Sequence, residues 1–429
     1  FWLKLDWFKT MAPRFKAPPP LVVGMCQRVL TVGLLHLTFS SGSSTILGGG
    51  AAEELATCET GEDGASCSVG AEEKHGSCGC GALKRSDFDT GAAVPAAGQS
   101  ELRVGSGETE KTAGIIYLEG GAFTMGLIPA DEADPSVHPM DSEGPAHEET
   151  VGPFGLGKFE VSNRRFERFM NETGYVTESE RFGWSFGVEA FISKEVNATI
   201  TSQVANAPWW LPVQRADWRH PNGPDTSIAA TMTHPVTQVS FADAEAFCGW
   251  SRPGGRLPTE AEWEFAARGG RHRKRYPWGN NILTGEEKDK HRMNIWQSPL
   301  DAKLMQDDKI LNLYAYGGEN AVAMVKEYYS SPNLALDGYA ATAPVNAYGA
   351  QNAFGFYNMV GNVWEWTSTP WEVKDPNFPP VEPNTLVKKG GSYLCNAATC
   401  NRYRNSARMM FTADSAASNV GFRCAYPPK

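Results

Sequence analysis

Short runs of alternating hydrophobic and polar residues, separated by glycine-rich turns, mark the start of ordered patterning near Ile115. The run IIYLEGGAFTMG alternates and then turns, which predicts a pair of strands. Comparable patterning continues to about residue 425, so we predict one domain over 113–427. The stretch 298–332 interrupts this texture with a helix-like middle, and we interpret it as an insertion at the surface.

Three helices are predicted from their capping residues. Ser162 precedes NRRFERFM, whose apolar residues fall on one face. Ser240 precedes FADAEAFCGW and Thr259 precedes EAEWEFAARGG, each with an acidic residue three positions later. Long aperiodic stretches rich in Trp and turn residues lie between these helices. We therefore expect an α+β domain with low regular secondary structure and long ordered loops.

The residues before this domain have a different character. The chain begins ten residues before its first methionine, and we expect 1–10 to be non-native upstream sequence. Basic residues, an 11-residue apolar run and small residues then predict a signal peptide over 11–45, because the run is too short to span a bilayer. The segment 46–112 is acidic and rich in Gly, Ala and Ser, which is typical of a disordered linker. It contains Cys78 and Cys80 as a Cys-x-Cys pair.

Composition and net charge limit the kinds of partner and cellular compartment that suit this protein. The net charge of −10 disfavours nucleic acid, and no stretch of the chain reads as a membrane span. A secretion signal implies an oxidising compartment in which disulfides persist. The sequons at Asn171 and Asn197 are glycosylation acceptors in such a setting.

The cysteines of the domain offer several kinds of chemistry. Cys248, Cys395, Cys400 and Cys424 can pair in three ways. A bond between Cys395 and Cys400 closes a very small loop, whereas a bond between Cys248 and Cys424 constrains a far longer one. Arginines that follow Cys400 would favour thiolates, and two thiolates alone suit linear Cu(I). A structural disulfide, thiol redox chemistry and metal binding all remain open for Cys395 and Cys400.

Many motifs, in one order, resemble the formylglycine-generating enzymes, also called sulfatase-modifying factors. The resemblance covers about 113–426. Its motifs are GGAFTMG, FEVSNRRFERF, GYVTESERFGWSF, APWWLPV, ADWRHPNGPDTSI, HPVTQVSFADAEAFCGW, GRLPTEAEWEFAARGG, YPWGN, NIWQ, GFYNMVGNVWEWTS, KKGGSYLCNAATCNRYRNSAR and DSAASNVGFRCA.

The resemblance implies a variant of the C-type-lectin-like fold and a copper-dependent oxidase. Such enzymes use O2 to convert the cysteine of a Cys-x-Pro-x-Arg stretch in nascent sulfatases into Cα-formylglycine. Cys395 and Cys400 match the catalytic pair that holds Cu(I), Ser392 matches a serine near the oxygen site, and Trp364 matches a tryptophan of the same pocket. The alternative is a non-catalytic binding paralogue, which lacks the cysteine pair.

The resemblance also implies metal ligands and substrate-binding residues at matching positions of this sequence. Two structural Ca²⁺ sites are implied, and Glu160 is expected near one of them. The first set is Asn294, Ile295, Asp337 and Tyr339; the second is Asn358, Gly361, Val363 and Glu365. Ser179, Trp184 and Ser185 match the subsite of the substrate arginine, where an aspartate of some relatives is replaced by the indole of Trp184.

The resemblance also implies a cellular location, and some residues of the chain differ from the motifs of the family. Animal relatives are retained in the endoplasmic reticulum through a cysteine pair, which Cys78 and Cys80 match, so we expect thiol chaperones as partners there; secretion is the alternative. Asn396 stands where some relatives have His, and the segment 397–399 also departs from them. The insertion separates Asn294 from Asp337, so it would break the first Ca²⁺ site unless it folds outward.

Overall fold

The structure is a computed structural model that describes residues 114–132, 137, 141–204, 207–282, 291–299, 325–327, 329–372, 381–396 and 400–429. The predicted upstream residues, signal peptide and linker with Cys78 and Cys80 lie outside these residues, as do most of the insertion and 397–399. Within them, no helix is both long and apolar enough to cross a membrane.

The α+β class with short elements and long loops is confirmed. The helices are α1 Pro129–Glu132, α2 Asn163–Thr173, α3 Glu178–Phe182, α4 Lys194–Asn197, α5 Phe241–Ser251 and α6 Glu260–Arg268. The strands are β1 Ile115–Leu118, β2 Gly121–Met125, β3 His147–Val151, β4 Phe154–Gly157, β5 Trp184–Val188, β6 Trp210–Gln214, β7 Trp364–Pro370, β8 Thr385–Lys389, β9 Arg408–Thr412, β10 Val420–Gly421 and β11 Ala425–Tyr426.

The three capped helices are confirmed as α2, α5 and α6. The hydroxyls of Ser162, Ser240 and Thr259 each accept a backbone N–H of the first helical turn. The sequence analysis missed the short helix α3, whose N-terminus is a capping box between Thr177 and Glu180. At five residues, α3 is too short to produce a helical hydrophobic period.

The strand pair predicted at Ile115 is wrong in its pairing. The strands β1 and β2 exist, but β1 pairs with β4 in the sheet β1-β4-β11, and β2 pairs with β3. Gly120 adopts a φ of +74°, and a Cβ there would lie 2.3 Å from the Val151 carbonyl oxygen. After this turn the chain therefore enters a second sheet. Strand β1 pairs with β4 and strand β2 pairs with β3, and both partners lie within residues 147–157.

The largest described sheet has the order β10-β7-β8-β9, with β10 parallel to β7 and the other pairs antiparallel. Helices α2 and α5 pack their aromatic side chains together nearby. The Phe166 ring lies 5.8 Å from Phe247 and 5.4 Å from Trp218, and all three are buried. Full burial of such a side chain stabilises the fold by about 1.5–3 kcal/mol.

Helix α6 is fixed to this sheet by a buried ion network. Glu264 accepts from Lys389 Nζ at 3.0 Å, from Arg268 Nη2 at 2.6 Å and from the Gly126 N–H at 2.8 Å. Burial alone would raise the pKa of Glu264, but the charges of Lys389 and Arg268 lower it to about 2. The carboxylate therefore contributes stability above its usual pKa and loses that contribution as the pH falls toward 2.

We predict that Glu264→Gln lowers the free energy of unfolding by about 3–5 kcal/mol at pH 7, because it removes the carboxylate that pairs with the buried Arg268 and leaves Lys389 with the more distant Glu260, at 3.4 Å. The difference from the wild type should narrow as the pH falls from about 4.5 toward 2. Urea unfolding at several pH values measures it. Glu172→Gln, in an exposed pair with Arg168, should cost less than about 1 kcal/mol. Equal losses in the two variants would contradict the buried network.

Candidate active site around the cysteine pair

The loop that carries Cys395 and Cys400 begins directly after β8. Gly391 adopts a φ of +71°, and a Cβ there would lie 2.9 Å from the Arg402 carbonyl oxygen, so the loop requires glycine at this point. The structure joins Cys395 and Cys400 in a disulfide with Cα atoms 4.7 Å apart, and both residues are buried. The Cys395 N–H also donates to the Ser392 carbonyl at 2.8 Å. The two sulfurs are therefore adjacent and shielded from water.

Asn419 connects the other two predicted catalytic residues. Its side-chain Nδ2 donates to Ser392 Oγ at 3.0 Å, and its backbone carbonyl accepts the backbone N–H of Trp364 at 2.9 Å. Ser392 Oγ also accepts the Leu394 N–H at 3.3 Å, and Ser392 and Trp364 are fully buried. The sequence analysis did not single out Asn419, since an Asn within a turn-rich motif carries no distinguishing signal.

The end of the insertion packs against the cysteine loop. Tyr329 donates its hydroxyl to the Leu394 carbonyl at 2.8 Å and lies 3.5 Å from Asn396 Nδ2, while the Trp296 N–H donates to the Cys395 carbonyl at 2.9 Å. Tyr329 is 5% exposed. The prediction of a surface insertion is therefore wrong for Tyr329, whose aromatic ring with a polar tip fills a gap beside the loop, whereas Lys326, Glu327, Ser330 and Pro332 are exposed as expected.

The arginines after Cys400 have carboxylate partners of their own. Arg402 Nη2 donates to Asp141 Oδ1 at 3.0 Å, and Arg404 donates to both oxygens of Glu143 at 2.6 Å. Burial alone would raise the pKa of Glu143, but the Arg404 charge holds it below its usual range. Arg408 pairs with Glu260 in the same way. The positive charges that were expected to act on the thiols are thus each paired with a carboxylate.

The first set of predicted Ca²⁺ ligands is assembled. Asp337 accepts the Ile295 N–H at 2.9 Å and the Tyr339 N–H at 3.0 Å. The buried Asn294 Oδ1 has no hydrogen-bond partner among the described residues, and burial raises the pKa of Asp337. An orphaned amide oxygen, one residue from a backbone donor to a buried carboxylate, fits a hard cation. The residues on the two sides of the insertion are thus joined by the hydrogen bond from Ile295, next to Asn294, to Asp337.

The second set fits Ca²⁺ less well. Asn358 Oδ1 is also buried without a partner among the described residues, and Gly361 adopts a φ of +83°, where an added Cβ would lie 2.7 Å from the Asn294 carbonyl oxygen. Glu365, however, accepts from Arg423 through both oxygens at 2.6 Å. A second cation there would face this buried guanidinium. Val363, the remaining member of the set, is buried beside β7.

Glu160 lies against the second set. It accepts from the Asn358 and Asn362 amides at 3.0 Å and 2.9 Å. Burial, reinforced by the charge of Glu365, raises the pKa of Glu160 to about 8. Among the described residues, the carboxylates of Glu160 and Glu365 thus lie near the single guanidinium of Arg423.

The predicted subsite for a substrate arginine is turned inward. Ser185 donates to Gln238 Oε1 at 2.6 Å and Ser179 donates to the Gln238 carbonyl at 3.1 Å, and both serines are buried. The Trp184 ring packs edge-on against Phe186 at 5.1 Å and is 7% exposed. Stacking of a guanidinium on Trp184 does not fit this arrangement, because the ring is covered. Ser179 nevertheless lines a groove of about 330 Å³ together with Glu180 and Asp217.

The remaining predicted residues lie away from the cysteine loop. Cys248 of α5 forms a disulfide with Cys424, with Cα atoms 5.5 Å apart, which ties α5 to the C-terminal strand region. Asn171 is exposed in α2, and Asn197 lies half-buried in α4 with its amide 3.4 Å from Glu189 Oε1. Both sequons are therefore on the surface side of their helices.

Comparisons with known proteins agree on one family. The model of the sulfatase-modifying factor enzyme 1-like domain matches residues 102–427. The formylglycine-generating enzyme of Mus musculus is 42% identical over 380 residues, which cover 86% of the chain and 91% of that protein. The formylglycine-generating enzyme of Thermomonospora curvata is 40% identical, over 73% of the chain and 94% of that protein.

An inactive relative is nearly as similar. The inactive C-alpha-formylglycine-generating enzyme 2 of Bos taurus is 39% identical, over 76% of the chain and 90% of that protein. Identity alone therefore separates the active and inactive relatives by only a few per cent, and the residues of the cysteine loop must distinguish them.

We predict that Arg423→Lys lowers the free energy of unfolding by about 3–5 kcal/mol, because a single ammonium cannot replace a guanidinium that bonds Glu365 and four carbonyl oxygens. Chemical denaturation measures the change. The matched control is Arg256→Lys, whose bidentate partner Glu262 lies at a partly exposed site; it should cost about 1 kcal/mol or less. A mild effect at Arg423, equal to the control, would contradict this role.

Proposed function

The chain belongs to the sulfatase-modifying factor enzyme 1-like family, and from this premise we propose how it works as a formylglycine-generating enzyme. It is an oxidase that activates sulfatases by converting a cysteine into Cα-formylglycine. The observation that carries the proposal is the adjacent, buried pair of Cys395 and Cys400, in a chain 42% identical to a formylglycine-generating enzyme. The pair argues against the inactive paralogue, which is the alternative.

The substrate is a cysteine within a Cys-x-Pro-x-Arg stretch of an unfolded sulfatase. Its side chain gives two protons and two electrons to O2, which becomes hydrogen peroxide, and a carbon–sulfur double bond is left. Water then adds to that carbon, and the sulfur leaves as hydrogen sulfide while the aldehyde remains. A folded sulfatase would hide such a stretch, so the natural substrate is the nascent polypeptide.

Cu(I) is the cofactor that the cysteine pair suits. Two neighbouring thiolates form a soft donor set, and no group of three His, Cys, Asp or Glu side chains in the described part of the chain offers a competing site of that kind. Reduction of the disulfide frees both sulfurs as ligands. When bound, Cu(I) supplies a centre through which electrons pass from the substrate sulfur to O2.

The surrounding residues hold this site in place. Asn419 fixes the hydroxyl of Ser392, the serine that would stand near the oxygen site, in one orientation. The buried indole of Trp364 would exclude water from the same pocket. The Trp296 N–H holds the Cys395 carbonyl, and the Tyr329 hydroxyl holds the carbonyl of the preceding residue, Leu394.

Ca²⁺ is proposed as a structural ion at the set of Asn294 and Asp337, where an orphaned amide oxygen supports it. The second set would bind more weakly because Arg423 already compensates Glu365. The predicted signal peptide supports the lumen of the endoplasmic reticulum as the location. Cys78 and Cys80 would hold the enzyme there by disulfide exchange with thiol chaperones, and the two sequons would carry glycans.

We predict that Cys400→Ser abolishes conversion of a Cys-x-Pro-x-Arg peptide, with a rate at least about 100-fold below that of the wild type, because one soft ligand is lost. Mass spectrometry of the peptide detects the aldehyde. Competition with a Cu(I) chelator should show weaker copper binding by the same variant. Cys67→Ser, in the predicted linker, is the matched control and should keep both properties. Equal conversion by Cys400→Ser would refute the mechanism.

Removal of Ca²⁺ is expected to destabilise the protein. A site saturated at 100 times its Kd contributes about 2.7 kcal/mol, so a Ca²⁺ chelator should lower Tm in a reversible way. Asn294→Ala should reduce this Ca²⁺-dependent shift. Asn222→Ala is the control, since Asn222 Oδ1 is likewise buried without a partner but belongs to neither ligand set. If the Ca²⁺-dependent shift in Tm is the same in Asn294→Ala as in the wild type, Ca²⁺ does not bind at this site.

A further inference from the structure

A groove of about 290 Å³ lies between helices α2 and α5, and one of the residues that line it is Asn171, the first sequon. Side chains of α2 form one wall of the groove. The last two residues of α5, Trp250 and Ser251, form the other wall. The attachment point of an N-glycan is therefore part of a preformed pocket.

The α2 wall is a single face of that helix. Arg164, Glu167, Arg168 and Asn171 follow one another at spacings of three or four residues, which places their side chains along one stripe. Because an α-helix rises about 1.5 Å per residue, Arg164 and Asn171 are about 10 Å apart along the axis. A sugar chain attached to Asn171 thus has a groove to follow beside its attachment point.

Trp250 gives the opposite wall an aromatic surface. Its ring packs 5.4 Å from the rings of Phe169 and Phe247, and only 4% of the residue is exposed. The core therefore fixes the orientation of this ring, and the part of it that borders the groove is rigid. A fixed aromatic surface offers contact to the apolar C–H groups of a sugar at a low cost in entropy.

Two polar side chains of the α2 wall are available for hydrogen bonds to a ligand. Arg168 pairs with Glu172 at 2.6 Å, whereas Arg164 and Glu167 have no side-chain partner within the described part of the chain. The guanidinium donates and the carboxylate accepts, so this pair suits hydroxyl and acetamido groups, which do both. Three arginines and two glutamates line the groove, and their charges nearly cancel, which favours a neutral ligand.

We propose that the first sugars of an N-glycan on Asn171 dock in this groove and bridge helices α2 and α5. The ligand is a neutral N-acetylhexosamine unit that is already linked to the wall of its own site. Covalent linkage gives the sugar a high effective concentration at the groove, so that weak contacts hold it. The docked sugar adds a link between the two helices. The inference rests on the proposed glycosylation of Asn171 and does not depend on the oxidase.

The test measures how readily the glycan is released from the native full chain, expressed in eukaryotic cells. A peptide N-glycosidase removes it, and mass spectrometry of proteolytic peptides follows the release from Asn171. The double variant Arg164→Ala, Glu167→Ala keeps the sequon but loses the hydrogen-bonding wall. We expect release from this variant to be about five- to tenfold faster than from the wild type. The two denatured proteins should lose the glycan at equal rates.

The matched control is the double variant Lys194→Ala, Glu195→Ala. It also removes one positive and one negative charge from a helix surface, but both residues are exposed on α4 and neither lines the groove. Release from Asn171 should stay at the wild-type rate in this control. Equal rates in the native wild type and the Arg164→Ala, Glu167→Ala variant would overturn the docking.

Thermal unfolding gives a second measurement of the same contact. Asn171→Gln, which removes the glycan, should lower Tm by about 2–4 °C. Substitution of Arg164 and Glu167 should lower Tm in the glycosylated protein but not in the Asn171→Gln background, because no docked sugar is left to lose. Losses of Tm that simply add would contradict the bridge between the helices.

The outcomes separate this inference from the proposed function. A glycan on Asn171 that is released equally fast from the wild type and the variant would remove only the docking. Asn171 without any glycan would remove both the docking and the proposed glycosylation at this sequon. Conversion of the Cys-x-Pro-x-Arg peptide should be the same in the wild type and in Arg164→Ala, Glu167→Ala, so the oxidase is tested independently.

Discussion

The buried ion pair of Arg423 and Glu365 is the constraint on which the rest of the site depends. Both side chains are fully buried, and the guanidinium donates to two carboxylate oxygens and to carbonyls at residues 157, 158, 357 and 358. Trp263 of α6 adds a third donor to Glu365 at 2.8 Å. One interaction thus joins β7, α6, the segment after β4 and the predicted Ca²⁺ loop. With so few long strands or helices, a fold of this kind needs such junctions.

This junction continues through the sheet to the cysteine loop. Glu365 on β7 lies opposite Lys389 on β8, and Lys389 reaches back to Glu264 of α6. The loop with Cys395 and Cys400 leaves β8 immediately afterwards. Its position is therefore set by buried charges on one side and by the hydrogen bonds of Trp296 and Tyr329 on the other. A rigid frame of this kind suits a site in which two sulfurs must remain adjacent.

The insertion changes how the site can be understood. Its last residues supply Tyr329 to the cysteine loop. The residues that precede and follow it are still joined, because the Ile295 N–H donates to Asp337. Residues of the insertion thus pack beside the loop that carries Cys395 and Cys400. Buried polar atoms supply the complementary signal, since Asn294 Oδ1 and Asn358 Oδ1 have no partners at positions where oxygen ligands were expected.

The sequence by itself determined the helices at Ser162, Ser240 and Thr259, since capping and the 3.6-residue period are local properties. Its ordered motifs also determined the family and singled out Cys395 and Cys400. Only the tertiary structure decided the partner of β1, the burial of Ser185 and Trp184, the carboxylates that face Arg402 and Arg404, and the role of Asn419. Each of these features depends on contacts between residues far apart in the chain. Hydrophobic patterning is local, so it does not predict which distant side chain contacts a particular residue.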